Sequence, residues 1–480
     1  MILELRTYKT MPRKRELWMK RSITRIGPYG TLMSNLSVLS LFLLLFLLTP
    51  SNSSAAPRVP PALLDGHWTG AMTREGKSWA VNLDIESSAK NPIVLVDLID
   101  YGIYALPFSI SAESNKLRLE RKQPTGPSVL FEGLVAGETF SGDFSGLGVT
   151  APFVLKRTNG RPSMLKEEEV VFRNGEVTLA GTVLIPSGSG PHPAIVCTHG
   201  SGPEGRQRAA YHSNGYFFAR LGFVTLIYDK RGVGSSTGDF QTSSLEDLAD
   251  DALAGVHLLL ARKDVVGRSV GMTGVSQGGW VSPLAATRSP DVAFILVISP
   301  SGINPMDQSV FSVEQTLKKA GFSPEIVSTA SNLRNRLYAM VRTGKFDDHF
   351  IADVEKVNKE PWFKLTGLPY PAPPTISDGE RRFLLFEPIP IWEKVKVPVL
   401  ALWGEDDLSV PATRSKDLLE QALARAKNRD FTFKIFPHAD HTLSVVRAPT
   451  DAWDFPRTAV GSRQLMAEWL LRRLVTQAKD

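Results

Sequence analysis

The sequence predicts an α/β protein, in which a mostly parallel sheet is flanked by helices and preceded by a separate all-β domain. Three observations carry this expectation. From about residue 193 onward, short and continuously apolar runs alternate with segments of helical length; such strands are buried on both faces and belong to parallel sheets. Between residues 66 and 158 the apolar runs are instead separated by Gly, Pro, Asn and Ser, a spacing that suits a small sandwich or barrel. The length of 480 residues exceeds one ordinary domain.

The chain opens on a basic leader. Residues 1–56 hold eight Lys/Arg and two acids, Glu4 and Glu16, which accounts for the whole net charge of +6; the remainder balances at 47 residues of each sign. With no long basic run beyond the leader, no nucleic-acid partner is expected. The apolar run Leu36–Leu48 has 13 residues, interrupted only by Ser37 and Ser40. It is too short to span a bilayer comfortably and has the length of a signal-peptide core. Ser54 and Ala56 suit the small-residue positions of a cleavage site. Residues 1–56 are therefore expected to be an export signal cleaved near Ala56, leaving a periplasmic or secreted chain without a stable membrane span. An uncleaved anchor is the alternative. Cys197 is the only cysteine, so an exported chain would carry no internal disulfide. Its setting, AIVCTHG, reads as a buried strand thiol. The eight histidines show no metal-ligand spacing, and no metal or cofactor is expected.

Residues 57–160 are assigned to the all-β accessory domain. After the Pro-containing linker PRVPPALLDG, the stretch SWAVNLDIE alternates, with Trp79, Val81, Leu83 and Ile85 on one face. IVLVDLID, KLRLERK, VLFEGLV and APFVLKR follow as further strands, and no catalytic constellation is visible among them.

Residues 165–480 form the second domain. EEVVFRNGEVTLAGTVLIP reads as a hairpin with Asn174-Gly175 as its turn. Strands and helices then alternate: PAIVCTHG, a helix near 211–221, FVTLIYDKRG, a helix over 243–262, SVGMTGVS, a helix over 277–288 and VAFILVIS. Residues 303–390 break the rhythm with SVEQTLKKAG, STASNLRNRLYAMVRTG and the Pro-rich GLPYPAPPT, an insertion of the size that forms lids or binding walls. KVPVLALWGE, a helix near 412–427, FTFKIF and a closing amphipathic helix over 459–475 complete the domain.

The stretch GMTGVSQGGWVSP sets Ser276 among Gly274, Gly278 and Gly279. The G-x-S-x-G spelling arises by chance in roughly one chain in six of this length, and a second copy runs from Gly234 to Gly238 around Ser236. Context separates the two. Ser276 ends an apolar strand and precedes a helix, where a tight turn exposes its hydroxyl and needs small neighbours. Ser236 lies several residues beyond its strand in a glycine-rich loop, and is expected to be a loop serine. Pro283 falls inside the expected helix and should kink it or mark an irregularity. A serine needs a base and the base an orienting acid; LALWGEDDLSVP offers Asp406 and Asp407, and FKIFPHADHTLS offers His438 and His441, in the chain order Ser, Asp, His.

With THGSG (198–202), YDKRGVGSS (228–236), GVSQGG (274–279), GEDDLSVP (404–411) and ADHTL (439–443), the chain from about 167 to 475 resembles an α/β-hydrolase of the serine aminopeptidase/dienelactone-hydrolase-like group, which includes many exported esterases. The resemblance implies a mostly parallel eight-stranded sheet flanked by helices, with a helical lid insertion. It implies Ser276 as nucleophile, His441 as general base then acid, and Asp407 as orienter, with Asp406 and His438 as fallback acid and base. It implies oxyanion donors in the backbone N–H groups of Gln277 and of Ser201 or Gly202. His199 is read as shaping that loop, and Asp229 and Arg231 as bracing the turns nearby. The expected reaction is acyl transfer to water, so the expected partner is a small ester or a short acyl or peptide substrate. A peptidase would use the same triad and need acids from the insertion to hold a substrate amine, for which Glu314, Glu325, Asp347, Asp348 and Asp353 are available. An acyltransferase and a non-catalytic binding protein on the same scaffold complete the alternatives.

Overall fold

A computed structural model describes residues 64–86, 92–122, 127–146, 149–158, 165–370, 378–445 and 457–477. The leader 1–56, the linker as far as residue 63 and most of GLPYPAPPT lie outside the described residues.

The first domain is a closed barrel of eight antiparallel strands: β1 (Gly66–Arg74), β2 (Lys77–Glu86), β3 (Ile93–Leu98), β4 (Ile103–Glu113), β5 (Lys116–Arg121), β6 (Val129–Ala136), β7 (Thr139–Gly146) and β8 (Val149–Thr158). β1 pairs with both β2 and β8, placing Trp68 opposite Leu83 on one side and Arg157 on the other. The alternation in SWAVNLDIE does what it predicts, since Trp79, Val81, Leu83 and Ile85 are all buried. A barrel of eight strands leaves an interior that side chains can fill. Here Trp68, Phe131, Phe140, Phe144 and Phe153 fill it, with Phe153 in edge contact with Phe131 at 5.2 Å and Phe140 at 4.7 Å.

The second domain holds an eight-stranded sheet built from β9 (Lys166–Asn174), β10 (Val177–Ile185), β11 (His192–Thr198), β12 (Val224–Tyr228), β13 (Val265–Val275), β14 (Ile295–Ile298), β15 (Val399–Gly404) and β16 (Phe431–Phe436). The spatial order is β16-β15-β14-β13-β11-β12-β10-β9. From β12 to β16 every pairing is parallel, and β10 runs antiparallel to both β9 and β12. The hairpin turn sits one residue later than expected. Asn174 pairs with Val177, so the two turn residues are Gly175 and Glu176, and Gly175 takes φ +55°. A two-residue hairpin needs a left-handed residue at its first central position, which glycine supplies without strain.

Helices α1 (Ala209–Arg220), α2 (Leu245–Leu260) and α3 (Gly278–Arg288) follow β11, β12 and β13. The α3 helix runs unbroken through Pro283. The insertion supplies α4 (Pro305–Lys319), α5 (Pro324–Thr343), α6 (Phe350–Val357), α7 (Asp378–Leu384) and α8 (Ile389–Trp392), and α9 (Ala412–Arg425) and α10 (Ser462–Gln477) close the domain. One core packs α2, α3 and α9 on one face of the sheet, and a second packs α1 and α10 on the other. Cys197 lies buried in β11, and burial pushes its thiol up to about 12. No helix among the described residues is long and apolar enough to cross a membrane.

The barrel docks on the α1 and α10 side. The Tyr104 amide donates to Ser213 Oγ at 2.8 Å, and that hydroxyl donates to Gly102 C=O at 3.2 Å. Arg220 binds the carboxylates of Asp97 and Asp84. Arg463 lies 4.7 Å over the Phe217 ring and donates to Gly102 C=O at 3.2 Å.

Because the barrel interior is aromatic and filled, Phe153→Ala is expected to cost about 3–5 kcal/mol. Urea denaturation followed by tryptophan fluorescence measures it, and a loss below ~1 kcal/mol would show that the ring is not packed as described.

Candidate active site

The parallel strands align their carboxyl ends, and the candidate residues follow directly from them. Thr198 at the end of β11 pairs with Gly274, Val275 pairs with Ile298, and Ile298 pairs with Leu402. Ser276 comes one residue after this row, Ser299 one residue after Ile298, and Asp407 five residues after Leu402.

Ser276 occupies the left-handed region at φ +57°, which is costly for a residue with a Cβ and typical of a hydroxyl held out on a sharp turn. Its amide donates to Ile298 C=O at 2.9 Å. The glycines around it are sterically required. A Cβ on Gly274 would lie 2.2 Å from Thr198 Oγ1 and 2.8 Å from the Gly278 backbone. One on Gly278 would lie 2.8 Å from Thr198 Oγ1, and one on Gly279 2.6 Å from Pro300 Cα.

Asp407 and His441 are brought together. His441 Nδ1 lies 2.7 Å from Asp407 Oδ2, while Oδ1 accepts the Ser409 amide at 2.7 Å and the Val410 amide at 2.9 Å. The Asp407 side chain is fully enclosed, so its carboxylate is fixed by three donors. With Nδ1 committed to the carboxylate, Nε2 is the ring nitrogen available for proton transfer. Ser299 Oγ donates to the His441 carbonyl at 2.9 Å. The end of β14 therefore grips the Ser276 amide through residue 298 and the His441 backbone through residue 299. Backbone strain gathers here too: of eight non-glycine residues at positive φ among the described residues, Ser276, Ser299, His438 and Leu443 flank this edge.

The fallback pair does not enter this arrangement. Asp406 and His438 are exposed, and their side chains approach each other only to 3.9 Å. Together with Glu405 they offer ligand atoms within 4.8 Å of one another, but all three face solvent and nothing encloses an ion. An open groove of about 660 Å³ runs between α4 and the loop after β15, lined by Phe311 and Gln315 on one side and by Asp406, Asp407 and Arg414 on the other. Neither Ser276 nor His441 lines it.

The loop after β11 packs against the turn at Ser276, since a Cβ on Gly200 would sit 3.8 Å from Ser276 Cβ. His199 is buried, with Nε2 donating to Tyr228 C=O at 2.7 Å. Burial, and then the nearby Lys230 ammonium, hold its pKa down to about 3, so it is a neutral framework group. The Gly200 amide donates to Tyr211 Oη at 2.8 Å. The amides of Ser201, Gly202 and Gln277 donate to no partner among the described residues, and Gln277 precedes the N-terminus of α3, where the helix dipole favours negative charge.

The neighbouring turn is braced internally. Asp229 accepts the Arg206 and Ser235 amides, each at 3.1 Å. Arg231 forms a bidentate pair with Asp251, at 2.6 and 2.7 Å. Ser236 Oγ donates to Asp229 C=O at 2.7 Å and accepts the Ala180 amide at 3.0 Å, so its hydroxyl is committed to the loop. Sequence reasoning passed over Lys230, whose ammonium is buried under the His199–Gly202 loop. The available signal was a charged residue placed between an apolar strand and a glycine-rich turn.

Residues 195–453 match the model of the alpha/beta hydrolase family. The chain is similar to esterase EstD of Thermotoga maritima, 28% identical over 172 residues, which cover 35% of this chain and 40% of that protein. It is also similar to the 2-hydroxy-6-oxononadienedioate/2-hydroxy-6-oxononatrienedioate hydrolase of Burkholderia vietnamiensis, 28% identical over 232 residues, covering 45% of this chain and 72% of that one. The match thus spans less than half the length of EstD. The Pyrococcus furiosus esterase Pf2001 superposes with a TM-score of 0.41 at 15% identity, over 64% of this chain and 91% of that one; at that depth the superposition carries no functional weight.

Gly274→Ala tests the steric reading of the turn. The forced contacts are expected to lower stability by about 1–3 kcal/mol and to reduce labelling of Ser276 by a fluorophosphonate. An alanine variant with an unchanged urea midpoint and unchanged labelling would show that the turn has room to spare.

Proposed function

The chain belongs to the alpha/beta hydrolase family, and from that premise we propose that it is an exported serine hydrolase of carboxylic esters. In this reading Ser276 is the nucleophile, His441 the general base and then acid, and Asp407 the carboxylate that orients the imidazole. The observation that carries it is the 2.7 Å contact of His441 with an enclosed Asp407, at the same strand end that holds the Ser276 amide. Export rests on the apolar run Leu36–Leu48 behind its basic leader.

The chemistry proceeds in two acyl transfers. Ser276 Oγ attacks the ester carbonyl as His441 Nε2 takes its proton, and Asp407 balances the imidazolium. The tetrahedral oxyanion accepts hydrogen bonds from the Gln277 amide and from Ser201 or Gly202, each such donor supplying ~2.7–4 kcal/mol of transition-state stabilisation. Collapse expels the alcohol, protonated by His441, and leaves an acyl-Ser276 ester. Water, deprotonated by the same imidazole, then releases the acid.

A peptidase that captures a substrate amine would need carboxylates free to hold it. Asp347 and Asp353 both bind Arg336, at 2.7 and 2.8 Å, and Glu314 accepts from Ser331 Oγ at 2.9 Å. The Glu325 carboxyl is held below its ordinary range by Ser323 at the start of α5. Four of the five candidate acids thus serve the insertion itself, and only Asp348, exposed on the surface, has no partner among the described residues. An amine site built from several carboxylates has little to draw on, which favours the ester reading.

The test offers the mature chain a fluorophosphonate, short and long p-nitrophenyl esters, and aminoacyl p-nitroanilides. Wild type is expected to be labelled and to turn over short esters best. Ser276→Ala is expected to lose labelling and turnover, and Asp407→Asn to lose about 10⁴-fold in kcat. Faster cleavage of the anilides would replace the ester reading with the peptidase, and labelling without turnover of any acyl substrate would leave a binding protein.

A further inference from the structure

We propose that Lys230 is the positioning residue of the oxyanion hole, its ammonium holding the Gly200–Ser201 peptide and the Gln277 side chain so that the two donor amides face one point. This rests on the serine-hydrolase reading and deepens it.

Lys230 follows β12 by two residues and is 2% exposed. Its Nζ donates to Gly200 C=O at 2.5 Å, to Gly202 C=O at 2.9 Å and to Gln277 Oε1 at 3.1 Å. An ammonium has three N–H donors and no acceptor, so all three are used and each acceptor belongs to an element that carries a candidate oxyanion donor. The consequence for Ser201 follows from peptide planarity. In a trans peptide the C=O and the following N–H point in opposite directions. With Gly200 C=O drawn onto Lys230, the Ser201 N–H is turned away from it, and that amide has no partner among the described residues. Gly202 C=O, held the same way, is followed by Pro203, which has no N–H. The clamp therefore orients the Ser201 amide directly, which selects Ser201 over Gly202 as the second donor. Gln277 completes the device, since anchoring its side chain fixes the residue whose amide opens α3.

The surroundings suit a held cation and little else. His199, beside it, is neutral. Glu204 is the nearby carboxylate, and it is already bound by Arg208. The Phe240 ring lies 5.7 Å from Nζ. Burial pushes the ammonium down to about 7, and the three converging acceptors oppose that shift, because the neutral amine would set a lone pair against one of them. An arginine would not substitute, since its planar fork cannot meet three acceptors that converge on one atom.

The test compares Lys230→Met with wild type on a short p-nitrophenyl ester and with a trifluoromethyl ketone, whose serine adduct carries an oxyanion. Loss of the clamp is expected to lower kcat by about 10²-fold with KM held within about threefold, and to weaken the ketone by a similar factor. A folded Lys230→Met with kcat within threefold of wild type overturns the proposal, as does a loss confined to KM. Should that variant not fold, Gln277→Met removes the third acceptor while the loop carbonyls stay bonded. An approximately tenfold loss in kcat at constant KM then supports the clamp, and an unchanged kcat overturns it. The wild-type control separates the two levels: an inactive wild type ends the esterase reading and the clamp with it, whereas an active wild type beside an equally active variant ends only the clamp.

Discussion

The absence of space between β11, β13 and α3 is the constraint on which the rest of the site depends. Thr198 Oγ1 sits where side chains at 274 and 278 would be, and Pro300 sits where one at 279 would be. Because those three positions carry only hydrogen, the backbone of α3 seats directly on the two neighbouring strand ends. Thr198 is itself tied down, donating to Thr273 C=O at 3.0 Å and lying 3.1 Å from Ser282 Oγ on α3. The loop after β14 is pinned from two sides, by Trp403 Nε1 donating to Pro300 C=O at 2.8 Å and Trp280 Nε1 donating to Ser301 C=O at 2.9 Å. A turn packed this tightly can hold Ser276 at a positive φ that a looser segment would relax.

The same tightness explains why one of two adjacent aspartates is suited to orient a histidine. Asp407 faces inward and is closed over by its own loop, whose Ser409 and Val410 amides fix one oxygen and leave the other for His441. Its carboxylate is enclosed and held by three donors, in a setting of low dielectric where polar contacts are strong. Asp406 is one residue away and looks outward, so solvent screens its charge and its nearest imidazole is the exposed His438. A one-residue difference in the turn thus decides between an enclosed carboxylate bonded to His441 and a surface carboxylate.

Much of this was legible in the residues because it is steric or periodic. Ser276 separates from Ser236 on context alone: a strand running straight into a helix needs a bare turn, and Ser236 has no such turn to serve. The parallel sheet is announced by its apolar runs. The barrel was legible only in part. Its strands β1, GHWTGAMTR, and β7, TFSGDFSG, carry glycine and polar residues, and their identity comes from partners on both sides rather than from their own pattern. The β4 strand carries Pro107 and reads poorly for the same reason. Closure of the sheet by β1 against β8 joins residues some 90 positions apart, such as His67 and Thr158, which no local window reports. Lys230 escaped notice because a lysine is ordinarily solvated, and only the folded loop reveals acceptors converging on it.

The barrel's attachment bears on the site through α1. Tyr211 and Ser213 stand two residues apart on that helix and so point to different sides of it. Tyr211 Oη accepts the Gly200 amide of the loop after β11, while Ser213 Oγ accepts the Tyr104 amide and donates to Gly102 C=O of the barrel. At the end of the same helix, Arg220 is clamped by Asp84 and Asp97, two carboxylates carried by barrel strands. The helix is therefore held near its middle and at its C-terminal end by the barrel, and presents Tyr211 to the loop beside Ser276. Within the hydrolase domain Lys230 pulls that loop from below, through the carbonyls of Gly200 and Gly202. Tyr211 fixes the Gly200 amide and Lys230 the Gly200 carbonyl, so the two peptide units that meet at this glycine are each restrained from outside the loop. A glycine, the residue most free to swivel, is in this way left without freedom, and the peptide that carries the Ser201 amide is fixed with it.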